Sequence, residues 1–212
     1  MTWNSMRCGA GLLASLAVAA GIAGCRINVD KGANGEDKKV QIDTPFGGIH
    51  VNTDQTTAAD LGLPVYPGAQ IVQDNEHDKS ADIHMGFGEW ELRVKVVNYS
   101  SADSEDKVVA FYKKAMTRYG DVIACQDHTP VGTPTTTAEG LTCADKGNAN
   151  VQVDDDDSDH GHHAGQSGFE LKAGSVRHQH LVSFKSSAPG ETRFALVALD
   201  LPAVGGNSGK SD

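Results

Sequence analysis

Aromatic residues make up only 6% of the 212-residue chain, too few for a large aromatic core. No apolar run reaches the roughly 20 residues that a membrane-spanning helix needs. The longest, residues 9–24, counts 16, so it does not read as a permanent transmembrane helix. A C-x-x-C pair and a G-x-S-x-G elbow are both missing, which removes the dithiol redox motif and the hydrolase nucleophile signature. The glycine-rich stretch 205–211 hints at a phosphate loop, but Val204 stands where the first glycine is needed. Positive charge is scarce: 18 Lys and Arg face 28 Asp and Glu, for a formal net charge of −10. A chain of that balance is repelled by phosphate backbones, which argues against nucleic acid as a partner. With no catalytic motif present, the chain reads as a non-enzyme.

What is present begins at the N-terminus. The first 24 residues carry one charged side chain, Arg7, followed by GLLASLAVAAGIAG. A positive start, a short apolar stretch and small residues before a boundary make an export signal. Residues 22–25, Ile-Ala-Gly-Cys, resemble the lipobox of bacterial lipoproteins. The resemblance implies cleavage before Cys25 and lipidation there, by a thioether diacylglycerol and commonly a further acyl chain such as palmitate on the new amino group. The membrane is then a partner through that lipid. An aspartate after the cysteine commonly retains such proteins at an inner membrane; Arg26 and Ile27 stand here, which favours the outer membrane and a domain facing the periplasm or exterior. The plainer alternative is an ordinary secretory signal that leaves Cys25 as a free thiol.

Removal of residues 1–24 takes away only Arg7, leaving 17 Lys and Arg against 28 Asp and Glu, a charge of −11. Of the four cysteines, Cys8 departs with the signal and Cys25 is assigned to lipid. Cys125 and Cys143 remain, and two cysteines in an oxidising compartment read as one structural disulfide rather than a catalytic pair.

Residues 25–39, the lipidated cysteine and a polar, charged, glycine-containing stretch, read as a flexible tether. Residues 40–54 read as a β-hairpin, with Val40 and Ile42 alternating before a Thr-Pro-Phe-Gly-Gly turn and Ile49 and Val51 after it. The main unit, 58–202, reads as α+β. Its strongest strand signal is 82–99, where Ile83, Met85 and Phe87 alternate with polar or small residues and, past Gly88, Trp90, Leu92, Val94 and Val96 do the same. The spacing of Val108, Phe111, Tyr112, Ala115 and Tyr119 predicts one amphipathic helix over 104–119, ended by Gly120. Short strands follow at 122–125, 141–144, 150–153, 169–172, 178–185 and 193–200, with a disordered tail at 203–212. The expected fold is thus an antiparallel β-sheet with one main helix packed on it. The order LPVYPGA, long strand pair, DKVVAFYKKAMTRYG, GLTC over about residues 61–201 resembles an uncharacterised α+β domain of bacterial exported proteins and lipoproteins. That resemblance implies a structural scaffold and brings no activity.

One stretch has donor chemistry. Residues 154–163, DDDDSDHGHH, offer Asp155, Asp157, Asp159, His160, His162 and His163 to a divalent transition metal. Glycines and serines beside them make a loose loop, so a solvated acidic loop is the first reading and weak metal binding the second. An EF-hand is excluded, since His160 replaces its glycine and Gln166 its closing glutamate. His84, His178 and His180 stand on predicted strands and would matter only if the fold gathered them. The sequence therefore supports a lipid-anchored cell-envelope protein that binds or supports another envelope component; the alternative is a periplasmic metal-binding lipoprotein using the Asp/His loop.

Overall fold

The computed structural model describes residues 25–31, 37–53, 55–72, 79–144, 168–185 and 189–203. The expected signal segment 1–24, strand 150–153, Asp/His loop and most of the tail lie outside the described residues. Alternating sequences become eleven strands of one sheet: β1 Arg26–Lys31, β2 Asp37–Thr44, β3 Gly47–Thr53, β4 Gln70–Ile71, β5 Ser80–Phe87, β6 Trp90–Ser101, β7 Ile123–Gln126, β8 Thr129–Pro130, β9 Phe169–Gly174, β10 His178–Lys185 and β11 Thr192–Asp200. Their order is β1-β2-β3-β5-β6-β11-β10-β9-β7-β8, with β4 also on β6. Every described pairing is antiparallel. The helix, α1 Glu105–Met116, crosses from β6 to β7 and continues as one 3-10 turn, Thr117–Tyr119. The α+β architecture is as expected.

Residues paired across an antiparallel ladder point to the same side, so the register gives the two faces directly. On one face Val97, Leu196, Val182, Leu171 and Ala124 form a row across β6, β11, β10, β9 and β7. Tyr99, Phe194 and Phe184 form the next. Onto these rows α1 lays Val108, Tyr112 and Met116, all fully buried. The spacing i, i+4, i+8 is one face of a helix. Met116 takes a place in the buried stripe that the sequence spacing did not assign, and Phe111 and Ala115 lie at its margin. Tyr112 ties the helix to the segment before β4: its hydroxyl donates to the Pro64 carbonyl (3.1 Å) and accepts from the Tyr66 N–H (3.2 Å).

In the N-terminal half the apolar side reverses. Ile27, Ile42, Ile49, Met85 and Leu92 make one row, and Val29, Val40, Val51, Ile83, Val94 and Leu199 the next, both on the face opposite α1. At the hairpin end the row continues as Phe87 and Trp90, with Gly47 opposite Phe87. Glycine is required there, because a Cβ on Gly47 would overlap the Gly86 carbonyl and the Phe87 ring.

Three expectations change. Residues 26–31 are strand β1, paired with β2, where the sequence suggested a tether. All six are exposed, so composition gave no sign of burial; backbone pairing holds them. The hairpin 40–54 is not a separate unit, since β3 pairs along its length with β5. Residues 141–144 form a loop rather than a strand, secured by the Thr137 hydroxyl, which accepts from the Leu141 N–H, and by the Cys125–Cys143 disulfide.

That disulfide joins residues 18 apart in sequence at a Cα separation of 5.5 Å. It closes the 131–144 loop over the face opposite α1, where Ile123, Cys125, Leu141 and Cys143 form a second small buried cluster. Closing a loop of this length stabilises by about 3 kcal/mol in the chain-entropy treatment. Replacing both cysteines by serine is expected to lower the unfolding free energy by about that amount, read from chemical denaturation. A change within about 0.5 kcal/mol, the range of an ordinary surface substitution, would show the loop to be held by packing alone.

Candidate functional site

Cys25 is exposed and is the free cysteine among the described residues. It sits one residue before β1, and Arg26 pairs with Asp43 near the end of β2. The same end of the sheet carries the β2–β3 turn with Phe46 and the β5–β6 turn between Phe87 and Trp90. Phe46 is 83% exposed, Phe87 45% and Trp90 39%. The Phe87 and Trp90 rings lie 5.9 Å apart, tilted by 44°.

The face shared with α1 is polar over these N-terminal strands. Gln41, His50, His84, Arg93, Asp200 and His178 follow one another across β2, β3, β5, β6, β11 and β10. Each histidine is met by its own acid: His50 by Asp43 (3.0 Å), His84 by Glu91 (2.9 Å) and His178 by Asp200 (2.8 Å). Arg93 grips Asp82 with two bonds of 2.7 and 3.1 Å, and Lys95 Nζ donates to the Asp60 carbonyl. Glu91 is therefore engaged by His84 and Arg93 by Asp82, rather than by one another along β6. His84 and His178 are three strands apart, so the sheet spaces them instead of gathering them. Among the described residues no group of three or more His, Cys, Asp or Glu is placed to hold a metal. The six Asp/His candidates from Asp155 to His163 lie outside the described residues.

His180 is different. Its ring stacks on Tyr119 at 3.7 Å between centroids, it hydrogen-bonds the Leu61 carbonyl, and its buried Nδ1 has no partner among the described residues. The Tyr119 hydroxyl in turn donates to the Gly62 carbonyl, in a turn where Gly62 takes a φ of 70°. Burial holds the imidazole below its ordinary pKa, with Arg118 adding to the effect and Leu61 and Asp200 opposing it. The unfolded chain binds the proton first as pH falls. The stability present above about pH 6.5 is therefore lost progressively below it and through the lowered folded value. His180→Phe keeps a ring against Tyr119 and is expected to flatten the stability–pH curve below about pH 6.5. An unchanged slope in denaturant titrations would exclude His180 as its source.

A cleft of about 490 Å³ lies between the C-terminal end of α1 and the 131–144 loop. Its lining includes Lys113, Thr117, Asp121, Val131 and Glu139. Three of its polar groups are occupied with structure: Glu139 accepts from the Asp121 N–H (3.3 and 3.4 Å), Asp121 from the Ala138 N–H (3.0 Å), and Thr117 donates to the Lys114 carbonyl. These carboxylates fasten the loop to the helix end.

The cysteine count anticipated the Cys125–Cys143 disulfide but gave no hint of the residues that share the Cys25 end of the sheet. The signal was there in Ile27 and Val29, whose spacing mirrors Val40 and Ile42. Comparison with family models, with characterised proteins and with solved structures finds no match to the chain.

Proposed function

We propose that the chain is a lipid-anchored protein of the bacterial cell envelope, with a non-enzymatic binding or structural role towards another envelope component. The observation that carries this is the exposed, free thiol of Cys25 directly behind the lipobox-like Ile22-Ala23-Gly24 and the apolar signal. The polar row of individually paired histidines and acids supports a surface built for contact, because each of these side chains is held by a neighbour on the sheet. The engagement of Asp121 and Glu139 with backbone amides supports the non-enzymatic part of the reading. Among the described residues no helix is long and apolar enough to cross a membrane, so lipid on Cys25 would supply the attachment. Two or more acyl chains on one residue suffice for stable anchoring. Growth with labelled palmitate tests the assignment. Label is expected in the wild-type protein and not in Cys25→Ser; label retained in the variant, or absent from both, would refute it.

A further inference from the structure

We infer that the sheet end bearing Cys25, the β2–β3 turn and the β5–β6 turn is a bilayer-contacting surface, with Phe46, Phe87 and Trp90 seated in the interfacial layer of the leaflet that holds the lipid. This rests on the anchor reading and adds to it how the domain stands on the membrane. The first support is the missing spacer. β1 starts at Arg26, one Cα step of about 3.8 Å from Cys25, so a lipid on that thiol holds the edge of the sheet at the head groups. The register then decides what else lies there. Arg26 is level with Asp43, Thr44 with Gly47, Gly47 with Phe87 and Phe87 with Trp90. Four strand spacings of about 4.8 Å put Trp90 about 19 Å from β1 along the same sheet end.

The second support is exposure without a folding reason. Phe46 is the most exposed large apolar residue among those described and sits in a turn, where it packs into no core. Phe87 and Trp90 continue apolar rows whose inner members, Leu92 and Val94, are buried, so the apolar face opens outward at the Cys25 end. Ile27, 64% exposed, shares that face. Aromatic rings with one wet side collect at the interface between head groups and acyl chains. Charge selects the lipid: Glu89 and Glu91 flank Trp90 and the processed chain is acidic, so zwitterionic head groups are accepted and anionic ones repelled.

The processed protein reports on this surface itself. Of the two tryptophans, Trp3 precedes Cys25, leaving Trp90 as the one fluorophore of its kind. The protein purified from envelopes is reconstituted into phosphatidylcholine vesicles containing lipids brominated near the head group, and its Cys25 peptide is weighed in parallel. Blue-shifted, quenched Trp90 emission is expected, with quenching reduced at least twofold by Phe46→Ser at an unchanged unfolding midpoint, and weaker quenching in phosphatidylglycerol-rich vesicles. Lipid on Cys25 with unquenched Trp90 overturns this inference and leaves the anchor standing. If Cys25 carries no lipid the anchor reading falls, and the same unlipidated chain added to vesicles decides the surface: quenching sustains it, and its absence overturns it.

Discussion

Replacing Tyr112 by alanine is expected to cost about 3–5 kcal/mol of folding stability, the range for deleting a buried aromatic ring. The side chain has no exposed surface. It meets Phe111 edge to face at 5.0 Å and Phe194 at 5.6 Å, so its removal opens a cavity where helix and sheet join. The loss also releases the Tyr66 N–H and the Pro64 carbonyl, which hold the segment before β4 against α1. Burial raises the Tyr112 hydroxyl above its ordinary pKa, so it remains a neutral donor at any working pH. For a chain of this size about 2–4 °C of melting temperature accompanies each kcal/mol, so the midpoint is expected to fall by roughly 6–20 °C. Tyr112→Phe separates the two contributions: it keeps the ring, leaves the Tyr66 N–H and the Pro64 carbonyl without the hydroxyl, and is expected to cost about 1–3 kcal/mol. Equal losses in the two variants, measured by circular dichroism in denaturant, would place the effect in the hydroxyl rather than in packing.

Producing the protein behind an ordinary cleavable secretory signal, with serine at position 25, is expected to shift it from the membrane pellet to the soluble fraction by more than tenfold. Each buried methylene of an acyl chain contributes about 0.8 kcal/mol, and one myristoyl chain alone binds a bilayer only marginally. Losing two or three chains therefore removes nearly all of the affinity. The remaining aromatic surface would give a weak association that high salt does not release, because it is apolar. Fractionation with and without salt reads both effects. A serine variant that still pellets as the wild type does would mean that protein contacts, not lipid, hold the chain at the membrane.

Much of the fold was legible because alternation and helical spacing are local. The hairpin at 40–54, the strands around Gly88 and the helix ending at Gly120 follow from residues a few positions apart. What escaped notice depends on neighbours remote in sequence. Period-two alternation says that a strand has two faces, but not which face meets the helix, so the reversal between Leu92 and Val94 on one side and Val97 and Tyr99 on the other was invisible. β1 escaped because its six residues are all exposed and its partner Asp37–Thr44 lies across the glycine-containing stretch 32–36. The loop 141–144 looked like a strand because Leu141 and Cys143 alternate, yet that alternation serves the cluster with Ile123 and Cys125. For the site, Cys25 stood out by its resemblance to a lipobox cysteine and the pair Cys125 and Cys143 by counting. The grouping of Phe46, Phe87 and Trp90 with Cys25 needed the register of five strands.

The intact mass of the protein purified from its own envelope tests the central claim most directly. The account predicts a chain beginning at Cys25, heavier than residues 25–212 by a diacylglycerol group and, where the amino group is acylated, a further fatty acid. A chain that still carries residues 1–24, or one whose Cys25 peptide has the mass of an unmodified thiol, would contradict it.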